Sequence, residues 1–226
     1  METPVPGFLI YPDFISEALE QQLIAEIDAQ PWMVDYARRL QYYGFRNELE
    51  APYALIGIPL PIPPAISEVA RKILTEKNLE HAPDQVIINE YQPGEGIRPH
   101  KDRNYYENQI CGLNLASGCI MRFTKVKDGE VVDIEIPARS LYIMQDDARK
   151  KWNHGIPPRK KDLINGVIRH RGRRLSITYR KVKPSKVQQM NPEGRVAAIL
   201  REKFKLRLPE ARFTLSLPAI ALLNIG

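Results

Sequence analysis

The sequence predicts an α+β fold, mostly β, with N-terminal helices packed on a β-core of the sandwich or barrel kind. Two observations carry this. Two segments of the first 83 residues repeat their apolar side chains at helical spacing. After residue 84 the pattern changes to short β-prone runs, QVIINEY, QICGLNL, CIMRFT, VVDIEIP, SLYIMQ and RLSITYRKV, separated by polar turns such as KDGE.

Residues 1–12 are proline-rich and expected to be extended. In ISEALEQQLIAEIDAQP, Ser16 is a suitable N-cap, Glu17 and Glu20 occupy the first turn, and Leu19, Leu23 and Ile27 share one stripe. Pro31 fits just beyond the end. PLPIPP reads as a stiff linker into AISEVARKILTEKN, whose stripe is Ile66, Val69, Ala70, Ile73 and Leu74. Beyond residue 183, Pro192 can start a third helix carrying Val196, Leu200 and Phe204 at i, i+4, i+8. The expected division is 1–83 as a helical and lid region of one domain, 84–182 as its core, and 183–226 as a C-terminal helical extension.

The chain has 226 residues, enough to bury a real core, and its composition is globular, 43% hydrophobic and 27% charged. A net charge of +6 favours a polyanionic partner without requiring one. Cys111 and Cys119 sit in apolar surroundings and read as buried free thiols, with neither a disulfide framework nor a zinc spacing. METPVPGFLIYPDF has no basic n-region or long apolar run, so neither signal peptide nor anchor is expected, and no segment approaches a membrane span. A soluble intracellular protein follows as the expectation.

The chemistry centres on DQVIINEYQPGEGIRPHKD (84–102), which reads as a strand, a Pro/Gly turn and then His100-x-Asp102. On extended backbone those two side chains face one side. They are two thirds of a 2-His-1-carboxylate iron site, although a histidine hydrogen-bonded to a nearby carboxylate explains the pair equally simply. His154, in KWNHGIPPR, is the best third ligand: His81 lies in a loop, and His170 lies among cations that would oppose a metal. In RLSITYR, Arg174, Ser176, Thr178 and Arg180 alternate onto one face and Leu175, Ile177 and Tyr179 onto the other. The two arginine backbones stand ~20 Å apart, so their side chains must lean inward to share one small dianion. A keto dicarboxylate would give one carboxylate to arginine and the other to iron. An edge strand with solvated arginines is the plainer alternative.

Two further segments suggest nucleic acid. Arg38, Arg39 and Arg46 mix with Tyr36, Tyr42, Tyr43 and Phe45, aromatic faces for stacking beside cations for phosphate. A strand pair with a basic rim is the alternative. RKKDLINGVIRHRGRR (159–174) has seven Lys/Arg against one Asp and could track a phosphate backbone, or be a solvated loop.

Taken together, Asn89-x-Tyr91, Pro93-Gly94, His100-x-Asp102, Trp152-x-His154-Gly155-Ile156 and Arg174-x5-Arg180 resemble the AlkB family of Fe(II)/2-oxoglutarate dioxygenases over residues 84–182. The resemblance implies a double-stranded β-helix (jelly roll) with Fe(II) held by His100, Asp102 and His154. It implies 2-oxoglutarate held by Arg174, with Asn89, Tyr91, Thr178 and Arg180 completing the pocket. Ser176 stands where repair-type members often have Asn, and Asn104 replaces an acidic residue they use near the target base. Arg139-Ser140-Leu141 and Ala148-Arg149 are similar to the branch that hydroxylates a wobble uridine in tRNA. The implied activity is oxidative demethylation or hydroxylation of alkylated or modified bases in DNA or RNA, taken single-stranded or flipped. Tyr42, Tyr43, Arg38, Arg39, Arg46 and Asn104 are the candidate substrate contacts. The same chemistry on a protein or small molecule, or a non-catalytic RNA-binding β-domain, are the competing readings.

Overall fold

A computed structural model describes residues 2–34, 38–44 and 61–184. Its elements in chain order are β1 (Phe8–Tyr11), α1 (Glu17–Asp28), β2 (Leu40–Gly44), α2 (Pro64–Glu76), β3 (Gln85–Tyr91), β4 (Ile97–His100), β5 (Ile110–Leu115), β6 (Cys119–Lys125), β7 (Val131–Ile136), β8 (Leu141–Met144), α3 (Asp146–Lys150), β9 (Trp152–Ile156), β10 (Lys161–Ile164), β11 (Val167–His170) and β12 (Arg174–Arg180). The expected third helix, with Pro192, Val196, Leu200 and Phe204, lies outside the described residues.

Two antiparallel sheets form the core. The larger runs β1-β8-β5-β12-β3-β2 and the smaller β4-β9-β6-β7. Period-2 alternation gives each strand of the larger sheet two different jobs. Val86, Ile88, Leu113, Leu175 and Ile177 pack under the helices against Leu23, Ile27, Ile66, Val69 and Ile73. On the opposite face, Phe8, Ile10, Tyr142 and Met144 pack on Met121, Phe123, Ile134, Trp152 and Ile156 of the smaller sheet. This is the jelly-roll arrangement with helices on its outer face.

The helices form for the reasons the sequence offers. Ser16 Oγ accepts from Leu19 N at 3.2 Å and caps α1. Pro64 occupies the first turn of α2, where its missing N–H costs nothing. Ile66, Val69 and Ile73 are fully buried, each contributing ~1.5–3 kcal/mol.

Three local expectations change. Residues 8–11 are not only extended: they join the larger sheet as one edge, and residues 40–44, where a strand pair is the alternative to a stacking surface, form the other. His154 is in a strand of its own, β9, because α3 turns the chain after β8. Residues 161–170 are a β-hairpin rather than an irregular loop, turning on Asn165 (φ +50°) and Gly166 (φ +79°), which is Asn-Gly turn geometry.

Candidate active site

The face of β12 that carries Arg174, Ser176, Thr178 and Arg180 points between the two sheets. Register places Arg174 opposite Tyr91 and Ser176 opposite Asn89 on β3, so these side chains share that face. With Ile97, His100, Asp102, Ile110, Met121, Tyr142, His154 and Ile156 they enclose a cavity of ≈ 60 Å³. That is room for several water-sized groups at ~15 Å³ each.

His100 closes β4 and pairs across the smaller sheet with His154 on β9. Their rings stand 4.5 Å apart, centroid to centroid. Asp102 follows just past the end of β4, with Oδ2 3.6 Å from His154 Nε2. His100 Nδ1 donates to Arg98 O at 2.8 Å, since a carbonyl can only accept; in the neutral ring Nε2 then keeps its lone pair. Among the described residues no three His, Cys, Asp or Glu side chains stand close enough together to hold a metal ion as placed. Asp102 accepts at its other oxygen, Oδ1, from Arg180 Nη2 at 2.5 Å.

The trio nevertheless suits a divalent cation. The 3.6 Å between a carboxylate oxygen and an imidazole nitrogen is beyond a good hydrogen bond, while donors ~2.1 Å from a shared cation stand a little over 3 Å apart. Burial would raise the Asp102 carboxyl, but Arg180, His154, His100 and Arg149 outweigh it and hold it at about 2. Burial lowers His154 to about 4 against the opposing pull of Asp102, so it is a neutral ring at neutral pH. An anionic carboxylate and a neutral imidazole are the forms that ligate.

Arg174 lies at the other end of β12, 4% exposed. Its Nε donates to Asn114 Oδ1 at 2.5 Å, and its guanidinium carbon is 4.9 Å from the centre of the Tyr91 ring. Its Nη1 is buried with no hydrogen-bond partner. A buried guanidinium with an unmet N–H facing a cavity is a site for a carboxylate. Arg180 lines the same cavity, its Nη2 donating to Asp102 and its guanidinium 4.8 Å from the centre of the Tyr106 ring.

Sequence reading missed Asn114 and Tyr142. Asn114 is fully buried, and its Nδ2 donates to Ser117 O, Ile136 O and Pro137 O, which fixes Oδ1 toward Arg174. Its only signal was a polar residue in an otherwise apolar strand. Tyr142 lies in the β-prone run SLYIMQ, where nothing local sets it apart.

The substrate candidates scatter. Arg38 sits at the cavity rim, with Nε donating to Asn89 Oδ1 at 2.9 Å and its guanidinium 5.4 Å from the Tyr91 ring centre. Tyr42 is half-buried on the cavity side of the sheet, in register with Ile87. Tyr43 is core, 7% exposed, with its hydroxyl donating to Gln41 Oε1 at 3.0 Å. Period 2 sends it under the helices, so it cannot meet a base. Arg39 belongs to that face too, paired with buried Glu90, which also binds Arg173. Asn104 is exposed outside the cavity wall, and its carbonyl accepts from Lys183 Nζ at 2.8 Å. Arg46, Tyr36 and Phe45 lie outside the described residues.

Four of the seven cations of 159–174 are also committed elsewhere. Arg171 and Arg159 pair with buried Asp162, Arg173 with Asp28 and Glu90, and Arg174 lines the cavity. The Ala148-Arg149 pair has a structural role: Arg149 donates to the carbonyls of Arg103, Glu107 and Asn108, pinning the segment after Asp102. Arg139 likewise ties the start of β8 to Glu20 of α1.

A sequence profile described as the 2OG-Fe(II) oxygenase superfamily matches residues 56–180. An uncharacterized protein of Acanthamoeba polyphaga mimivirus is 50% identical over 187 residues, covering 82% of this chain and 89% of that protein. The mouse tRNA (carboxymethyluridine(34)-5-O)-methyltransferase ALKBH8 is 32% identical over 212 residues, covering 81% of this chain and 31% of that protein. The chain thus spans about a third of the length of the vertebrate ALKBH8 proteins it matches. The zebrafish probable RNA/DNA demethylase ALKBH6 is 29% identical, covering 78% and 86% of the two chains. The solved structure of OsALKBH1 superposes with a TM-score of 0.53 at 14% identity, covering 80% of this chain and all of that one, a likeness of fold. The matched span runs from α2 through the last strand and takes in every residue of the cavity described above, and on it the chain belongs to the 2OG-Fe(II) oxygenase superfamily, as an AlkB-like member near the ALKBH8 branch.

Proposed function

We propose that this chain is an Fe(II)- and 2-oxoglutarate-dependent oxygenase of modified bases in nucleic acid, with His100, Asp102 and His154 as its metal ligands and Arg174 as the anchor for 2-oxoglutarate. One observation carries the reading: buried Arg174, which has an unmet N–H, lines one cavity together with the ligand trio. The bound Fe(II) and 2-oxoglutarate supply the chemistry, turning O2 into hydroxylation of a C–H bond with release of succinate and CO2.

The chain's own side chains do the rest. Arg180 keeps Asp102 ionised and aimed, and the Arg98 carbonyl orients His100. Tyr91, Asn89, Ser176 and Thr178 line the co-substrate's place, while Ile97, Ile110, Met121 and Ile156 give it dry walls.

Nucleic acid as substrate is supported by Arg38 at the rim and by the hairpin, where exposed Lys160, Lys161 and Arg169 could meet phosphate. Two relatives point the same way: a tRNA methyltransferase and a probable RNA/DNA demethylase. On this reading residues 1–83 are the helical and lid part, 84–182 the oxygenase core, and 183–226 an extension.

The test is turnover in air with Fe(II), 2-oxoglutarate and either total tRNA or alkylated oligonucleotides, following succinate and the nucleosides by mass spectrometry. Succinate with a changed nucleoside is expected, and His100→Ala should abolish both. Succinate formation that nucleic acid does not affect, with no nucleoside altered, would move the substrate to a protein or small molecule.

A further inference from the structure

Tyr142 is a cavity residue to which the reading above gives no role. It stands on β8, two strands from the arginine strand in the order β8-β5-β12. Two strand spacings are ~10 Å, and an intervening side chain would ordinarily block the way. Here the residue opposite it on β5 is Gly112. A Cβ at Gly112 would lie 2.0 Å from Tyr142 Cζ and 2.3 Å from its hydroxyl oxygen. The ring therefore lies across bare β5 backbone, and its hydroxyl comes beside Ser176 on β12, in the wall of the same cavity. Phe8 supports it from the side at a 5.5 Å ring separation.

The hydroxyl thus arrives where a dicarboxylate would need donors. Arg174 is held by Asn114 with Nη1 unmet, and Tyr91 and Ser176 line the same wall. Ser176 is short, and the tyrosine hydroxyl adds a second donor beside it on that wall. Burial pushes Tyr142 up to about 12, so its hydroxyl keeps its proton at any working pH. We propose that Tyr142 is a co-substrate-binding residue whose hydroxyl, brought across β5 by the Gly112 notch, donates to the same carboxylate that Arg174 holds. The proposal rests on the co-substrate reading of the cavity.

The test is calorimetric titration of the full chain loaded with Mn(II), using 2-oxoglutarate and the mono-acid 2-oxopentanoate, which lacks the remote carboxylate. Tyr142→Phe removes one oxygen and keeps the ring's packing. The expected result is about tenfold weaker binding of 2-oxoglutarate, one charge-assisted hydrogen bond, with 2-oxopentanoate and Mn(II) binding unchanged. A purely structural tyrosine would weaken both keto acids equally, and that outcome, or an unchanged affinity for 2-oxoglutarate, overturns the proposal. Failure of the wild-type protein to bind 2-oxoglutarate would overturn the co-substrate reading itself, and this proposal with it.

Discussion

Arg174 and Arg180 are the same residue type on the same face of one strand, yet their surroundings give them different work. Arg174 is walled in by Asn114 and Tyr91 with one N–H left over; Arg180 is joined to Asp102. Removing Arg174 should therefore touch the co-substrate alone: Arg174→Ala is expected to weaken 2-oxoglutarate binding by about 30-fold or more while metal affinity holds, read by titration of the metal-loaded protein. Removing Arg180 should touch the metal. Arg180→Ala is expected to lower Fe(II) or Mn(II) affinity about 10- to 100-fold, because Asp102 loses the cation that orients it. Equal effects of the two variants on both ligands would contradict the division.

The β10–β11 hairpin shows what a charge run can conceal at the level of an element. Asn165-Gly166 between KDLI and VIRH is a strong hairpin signal, but seven cations in the segment drew attention to charge first. Asp162 anchors it: buried, it takes two hydrogen bonds from Arg171 and one from Ile120 N. Asp162→Ala should leave the Arg171 guanidinium buried and unpaired, costing ~3–5 kcal/mol in denaturant unfolding. The exposed cations Lys160, Lys161 and Arg169 should instead govern nucleic-acid affinity. Replacing all three with Gln is expected to lessen the slope of log K against log salt by about 2 for a single strand, without changing stability much. An unchanged slope would remove the hairpin from the binding surface.

Over the whole molecule, the helical layer is joined to the β-core by charge as well as by burial. Glu90 of β3, 4% exposed, binds Arg39 before β2 and Arg173 before β12, and Arg173 reaches Asp28 at the end of α1. Burial would raise the Glu90 carboxyl, but the two arginines outweigh it and hold it below the usual range. A carboxyl depressed in the folded state stabilises above its unfolded value of about 4.3, and that stability is lost as pH falls through the folded value. Glu90→Gln should thus cost ~1–3 kcal/mol near neutral pH, and the gap from wild type should close in acid, as thermal melts between pH 7 and pH 3 would show. A gap that does not depend on pH would mean the carboxylate's charge plays no part.

Local pattern alone determined much of this protein. Helical stripes placed α1 and α2, short β-prone runs between polar turns placed β3, β5, β6, β7, β8 and β12, and the H-x-D spacing set His100 and Asp102 two residues apart. Those features depend on neighbours within a few residues, where periodicity and capping act. Only the tertiary structure decided which face each aromatic and arginine of 38–44 would take, that Arg180 would serve Asp102, and that Gly112 would open a path for Tyr142. Each depends on strands far apart in sequence and adjacent in the sheet, and register between distant strands is set by the packing of the whole core.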